Sequence, residues 1–130
     1  MKLKVLGIDS PHGTETHNCP GYLITEGNTK ILLDSGSGTH KLLSFPSDLE
    51  NLSVIISHLH RDHYNDIYNI QYSSFVYHNQ KRIEYPIEIY LPATPKNIYE
   101  DIINEKNSFA NYHNINKETT LKIGDIDISF

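Results

Sequence analysis

Residues 54 to 63 read Val54-Ile55-Ile56-Ser57-His58-Leu59-His60-Arg61-Asp62-His63, a short apolar run that passes directly into three imidazoles and a carboxylate. Three aliphatic residues without polar interruption suit a strand buried on both faces, as in the middle of a parallel sheet. Side chains alternate faces along extended chain. The spacing therefore predicts His58 and His60 on one side, able to grip one ion, with Leu59 turned back into the core. Asp62 and His63 are expected on the turn beyond the strand, aimed at neighbouring space where a second ion about 3.5–4 Å from the first could be held. Imidazole with carboxylate suits zinc, and also iron, manganese or cobalt. The competing reading is that a chain with eight histidines gathers a few on a solvated loop by chance. The alternating spacing at the mouth of a strand favours ligation.

Outward from this stretch the chain alternates strands and helices, which makes it α/β. On the amino-terminal side, Lys2 to Ile8 reads as an edge-like strand, and Asp9 to Pro20 as a loop rich in Gly, Pro, Thr, Asn and His. Tyr22–Glu26 and Lys30–Leu33 form a hairpin across Gly27-Asn28-Thr29. Gly36 to Phe45 holds a short helix ending before Pro46, and Ser47-Asp48-Leu49-Glu50 a further turn. On the carboxyl side, Asn65 to Asn79 reads as a helix with Ile67, Ile70, Ser74 and Tyr77 near one face. Ile87 to Leu91 is a strand closed by Pro92, and Pro95 to about Ala110 a helix with Ile98, Ile102 and Ile103 inward. Thr119–Ile123 and Asp125–Phe130 form a second hairpin around Gly124. With no repeat or linker, residues 1–130 are expected to form a single unit.

The His-x-His-x-Asp-His element after a core strand resembles the signature of the metallo-β-lactamase superfamily. The Gly21-Tyr22-Leu23-Ile24 strand with Lys30-Ile31-Leu32-Leu33-Asp34-Ser35-Gly36-Ser37-Gly38, and the Ile56-Ser57 lead into the motif, match as well. Two features are similar to the ribonuclease Z-like phosphodiesterase branch: the Asp34-Ser35-Gly36-Ser37-Gly38 form of the first motif and the His63-Tyr64-Asn65-Asp66-Ile67 continuation. The resemblance implies an αββα sandwich of two similar halves, of which this chain supplies about the first. It also implies that relatives place a third metal-binding histidine, a bridging aspartate and a last histidine beyond the final strand, and no residue here matches those three.

By that resemblance His58 and His60 bind a first zinc, and Asp62 and His63 a second, with manganese or iron as other metals. Asp62 is also the candidate catalytic residue, orienting or deprotonating the attacking water. Histidine at position 60, where redox-active di-iron relatives carry glutamate, favours hydrolysis over electron transfer. Asp34 is expected to support the ligands from behind by a hydrogen bond that fixes an imidazole tautomer; the alternative is an ordinary turn aspartate bonding its own backbone. His12 and His17 lie on the early loop that borders the site in relatives, and read as solvated. His40, His78 and His113 read as structural or surface residues, and Cys19 lacks the basic neighbours that activate a thiol.

Composition limits the partners. Eleven basic against sixteen acidic residues leave a formal charge of −5, which argues against DNA or any long nucleic acid held by phosphate neutralisation. The pair Lys81-Arg82 reads as a solvated helix end, and the Gly- and Lys-rich binding arm of the resembling transfer-RNA processing enzymes is absent from these residues. A small phosphodiester or short RNA is the expected substrate, with a thioester, lactone or β-lactam as the alternative on the same fold. No apolar run is long enough to span a bilayer, and the start has no signal-peptide pattern, so a cytoplasmic location is expected. One cysteine, Cys19, excludes an internal disulfide. A half-fold also carries a third expectation: self-association or a missing carboxyl-terminal half completes it, and without either the chain alone has no activity.

Overall fold

Rows of aliphatic side chains, one from each strand, organise the sheet. The computed structural model describes all residues from Met1 to Phe130. Six strands stand in the order β1 (Lys2–Gly7), β2 (Gly21–Glu26), β3 (Thr29–Leu33), β4 (Leu52–Ile55), β5 (Ile87–Leu91) and β6 (Ala110–Asn114). The first three pair antiparallel and β3 to β6 pair parallel. Registry aligns Leu23, Leu32, Val54, Ile89 and Tyr112 in one row across five strands. That row faces the helices α2 (Ile67–Asn79) and α3 (Lys96–Ile103), which add Ile67, Ile70 and Ile102 to a single large core. Truncating one of these fully buried aliphatics to alanine costs about 2–5 kcal/mol.

The neighbouring row, Val5, Tyr22, Leu33, Ile55, Tyr90 and His113, points to the opposite face. There Ile31, Ile55 and Ile115 form a smaller core, partly covered by a separate hairpin of β7 (Thr120–Ile123) and β8 (Ile126–Ser129) through Leu121, Ile123, Ile126 and Ile128. Leu3 and Val5 on the edge strand remain exposed. Helices, sheet and second β layer thus stack in the sequence expected for the first half of an αββα sandwich.

Strand direction fixes where the loops emerge. β1 is antiparallel to β2, which is antiparallel to β3, so β1, β3, β4, β5 and β6 all run the same way. The segments after β1, β3 and β4 therefore open at one end of the sheet, the carboxyl end where α/β proteins place ligands.

Several expectations shift. The motif residues beyond the strand do not stay on a turn: Arg61–Tyr64 wind into a four-residue helix, α1, and α2 starts afresh at Ile67 rather than at Asn65. The helix expected over Gly36 to Phe45 shrinks to one 3-10 turn, Thr39–Leu42, and the further turn expected after Pro46 is a second, Ser47–Leu49. The helix after Pro95 stops at Ile103 rather than near Ala110, and Ala110–Asn114, of which only Ala110 falls in an expected regular element, is edge strand β6. Local composition hides β6, since Ala, two Asn and a His have little strand preference. Parallel pairing with all of β5 decides it. Buried Gln71, unread as a core residue, donates from Nε2 to the Ile102 carbonyl (2.8 Å) and the Tyr112 hydroxyl (2.8 Å), tying α2 to α3 and β6.

Candidate metal centre

Three exit segments meet at the carboxyl end of the sheet. β3 delivers Asp34, β4 delivers Ser57 to His60, and α1 turns Asp62 and His63 back towards both. Leu59 is buried in the large core as the alternation requires, and His58 and His60 project together, with ring centroids 4.7 Å apart at 81°. His63 lies beside His58, with 4.0 Å between centroids.

The packing under these residues is close. The Ser35 N–H donates to the His63 carbonyl (2.8 Å) and the Asp66 N–H to the Ser35 carbonyl (2.9 Å), which laces the first motif to the second. Gly36 sits where any Cβ would fall on the Asp62 carbonyl oxygen, the Cys19 Cβ and the Pro20 carbonyl oxygen. Only glycine allows that approach. Asp34 adopts φ 59°, a left-handed conformation that non-glycine residues visit rarely, and so aims its side chain across to β4.

There the Asp34 carboxylate takes three hydrogen bonds. Oδ1 accepts from the Ser57 N–H (2.7 Å); Oδ2 accepts from the Ser57 hydroxyl (2.9 Å) and from His63 Nδ1 (2.7 Å). The Ser57 hydroxyl has one proton, and it is spent on Asp34. Its 2.9 Å contact with His58 Nδ1 must then run the other way, with His58 Nδ1–H donating. One carboxylate thereby sets two tautomers, and both His58 and His63 carry their proton on Nδ1 with a bare lone pair on Nε2.

The His63 lone pair meets another acceptor. His63 Nε2 stands 3.3 Å from Asp62 Oδ2, two acceptor atoms face to face. Only a proton or a cation turns that contact from repulsive to attractive. The donor chemistry fits a divalent ion of the zinc type. The cluster is not a closed cage, because no three His, Cys, Asp or Glu side chains gather their donors around one point. Burial, with help from the like-charge neighbours His63 and His60, pushes His58 below its ordinary 6.5, so the imidazole favours its neutral, lone-pair-bearing form. A hydrogen bond from the Ser10 hydroxyl (2.7 Å), with further help from His63, holds Asp62 below its ordinary 3.8 despite its burial.

The remaining titratable groups take supporting positions. His40 Nδ1 and both the Gly38 and His40 N–H groups converge on Oδ2 of buried Asp66, at 2.7, 2.9 and 3.1 Å. His113 pairs with Glu88 (2.9 Å) and stacks on Tyr90, and His78 stacks on Phe109. His12 and His17 are exposed on the early loop. Cys19 is buried with its thiol pushed up, chiefly by that burial, which suppresses the nucleophilic thiolate. Three contributors escaped the sequence reading of roles. Ser57 and Asp66 stood inside the quoted motifs, as the polar residue before the first histidine and the acid three after the last. Ser10, one polar residue among many on a loop, gave no signal.

No family model matches the chain. In sequence it is 30% identical over 101 residues to ribonuclease Z of Chlamydia abortus, covering 76% of this chain and 32% of that protein. It is 37% identical over 78 residues to the zinc phosphodiesterase ELAC protein 2 homolog of Caenorhabditis elegans, covering 53% and 9%. The chain thus spans about a third of the length of the ribonuclease Z relatives it matches. In structure, the metallo-beta-lactamase fold protein YhfI from Bacillus subtilis superposes with a TM-score of 0.87 at 24% identity, over 98% of this chain and 52% of that one. The fold is that of metallo-β-lactamase fold proteins, and over about three quarters of its length the sequence is similar to ribonuclease Z relatives.

Proposed function

We propose that the chain carries the metal-binding motif of a zinc-dependent phosphodiesterase of the ribonuclease Z type, acting on RNA or a small phosphodiester. His58 and His60 would hold one ion, and Asp62 and His63 a second. Bound there, such ions activate water near neutral pH and steady the attacking and leaving oxygens of a phosphodiester. The Asp34 carboxylate, directly and through Ser57, keeps Nε2 of His63 and His58 free for an ion. Asp62, with an ionised carboxylate, orients the attacking water and accepts its proton. The observation that carries the reading is the 3.3 Å meeting of His63 Nε2 with Asp62 Oδ2, two acceptors that a cation, or failing that a proton, must bridge. The relatives' names support the substrate class, since one is a ribonuclease and another a zinc phosphodiesterase.

Zinc-loaded protein is expected to turn over bis(p-nitrophenyl) phosphate or a short RNA, and His58→Ala with His60→Ala to abolish both turnover and zinc uptake. Hydrolysis of thioesters, lactones or β-lactams without phosphodiester turnover would replace this reading with the carboxylic-substrate one. A second reading has its own support: no three donors gather around one point, and the chain spans a third of its curated relatives' length. In that reading the motif is one contribution to a site completed by further chain or by a second copy. Weak zinc uptake without turnover, becoming tight on addition of the completing segment, is its signature.

A further inference from the structure

We propose that Ser10, on the loop leaving β1, is the positioning residue that aims the Asp62 carboxylate at the ion, an inference that rests on the metal reading above. Ser10 and Asp62 are 52 positions apart, yet the Ser10 hydroxyl donates to Asp62 Oδ2 at 2.7 Å. The same oxygen faces His63 Nε2, so Ser10 occupies one lone-pair direction of Oδ2 and leaves the other turned to the imidazole. The Asp62 backbone is already fixed by the close approach of Gly36, which leaves side-chain rotation as the carboxylate's main freedom.

The loop is held where it can do this. The Ile8 and Asp9 N–H groups both donate to the Asn18 carbonyl (3.1 and 3.0 Å), the Asn18 Nδ2 donates to the Leu6 carbonyl (3.2 Å), and the Cys19 N–H donates to the Ser37 carbonyl (3.1 Å). At its tip the Thr14 N–H donates to the His17 carbonyl (2.9 Å), and the Thr14 hydroxyl accepts from the Thr16 and His17 N–H groups (3.4 and 3.2 Å), closing a turn within the loop itself. Gly7 lies against the Cys19 carbonyl with no room for a side chain. The two ends of the loop are therefore pinned to each other and to the first motif, and Ser10 enters the site from a fixed base.

The test compares zinc affinity, by competition with a chromophoric chelator, and the visible spectrum of the cobalt-substituted protein, in wild type, Ser10→Ala, Ser10→Thr and Thr14→Ala. Losing a partner that orients a ligand costs about 10–100-fold in metal affinity. Ser10→Ala is expected to weaken zinc about tenfold and shift the cobalt bands, Ser10→Thr to restore both to within about twofold, and Thr14→Ala to change neither. Equal affinity and spectrum in wild type and Ser10→Ala would overturn the assignment while leaving the metal reading intact. So would an equal loss in Thr14→Ala, which would trace the effect to loop order. Absence of zinc or cobalt uptake by the wild type would overturn the metal reading and this inference with it.

Discussion

Asp34 carries more of the site than any ligand. Its carboxylate accepts from the Ser57 N–H, the Ser57 hydroxyl and His63 Nδ1, and through that hydroxyl it reaches His58. Asp34→Ala releases both imidazoles to the other tautomer, and zinc affinity measured by chelator competition is expected to fall about 10–100-fold. Protonation supplies a second prediction for the metal-free protein. Burial lowers His58 from 6.5, so below about that pH the unfolded chain takes up a proton that the folded chain resists, and stability is lost on acidification. Asp62, held below 3.8 mainly by Ser10, adds stability that is present above that pH and disappears below it. Urea unfolding at pH 7.5 and pH 5.5 should show the wild type losing more stability over this interval than His58→Gln, which lacks the titrating ring.

At the scale of elements, the site depends on how the β3 exit loop seats against α1 and the start of α2. Gly36→Ala would place a methyl on the Asp62 carbonyl oxygen, with Cys19 and Pro20 also in the way. Overpacking of this kind costs about 1–3 kcal/mol. Because the displaced group is the backbone of a proposed ligand, the variant should lose zinc affinity together with thermal stability. Asp66 acts on the same loop from α2's start, collecting the Gly38 and His40 N–H groups and the His40 ring. Asp66→Ala removes the shared acceptor of three half-buried donors, at about 1–3 kcal/mol together, and a calorimetric scan of the metal-free protein should register the loss. His40→Ala removes only one of the three bonds and should cost less. The two variants separate a clamp centred on the carboxylate from one centred on the imidazole.

For the whole molecule, metal binding and folding are one equilibrium. An ion that binds only the folded chain stabilises it by about 2.7 kcal/mol at a free concentration a hundred times its dissociation constant. Zinc should therefore raise the unfolding temperature in a saturable way, and the double variant His58→Ala with His60→Ala should show no rise. No helix is long and apolar enough to cross a membrane.

Much of this architecture can be read from the chain because it is written locally. The β2–β3 hairpin follows from Gly27, at φ 55°, between two short apolar runs. β4 follows from the aliphatic run Val54–Ile56, although the strand itself spans Leu52–Ile55, and the His58 and His60 pair from alternation past its end. Other features depend on partners distant in sequence, and no local pattern encodes them. Ala110–Asn114 is a strand because β5 offers an open edge. Gln71 is a core residue because α3 and β6 supply acceptors, and Ser10 reaches Asp62 because β1 runs parallel to β3. By itself the sequence determined the α/β class and supplied the family resemblance with its candidate ligands, since these rest on residue types at short spacing. Only the tertiary structure decided which nitrogen of His58 and His63 carries the proton, which carboxylate orients them and which loop steadies Asp62, because each is set by hydrogen bonds between segments that strand direction brings to one end of the sheet.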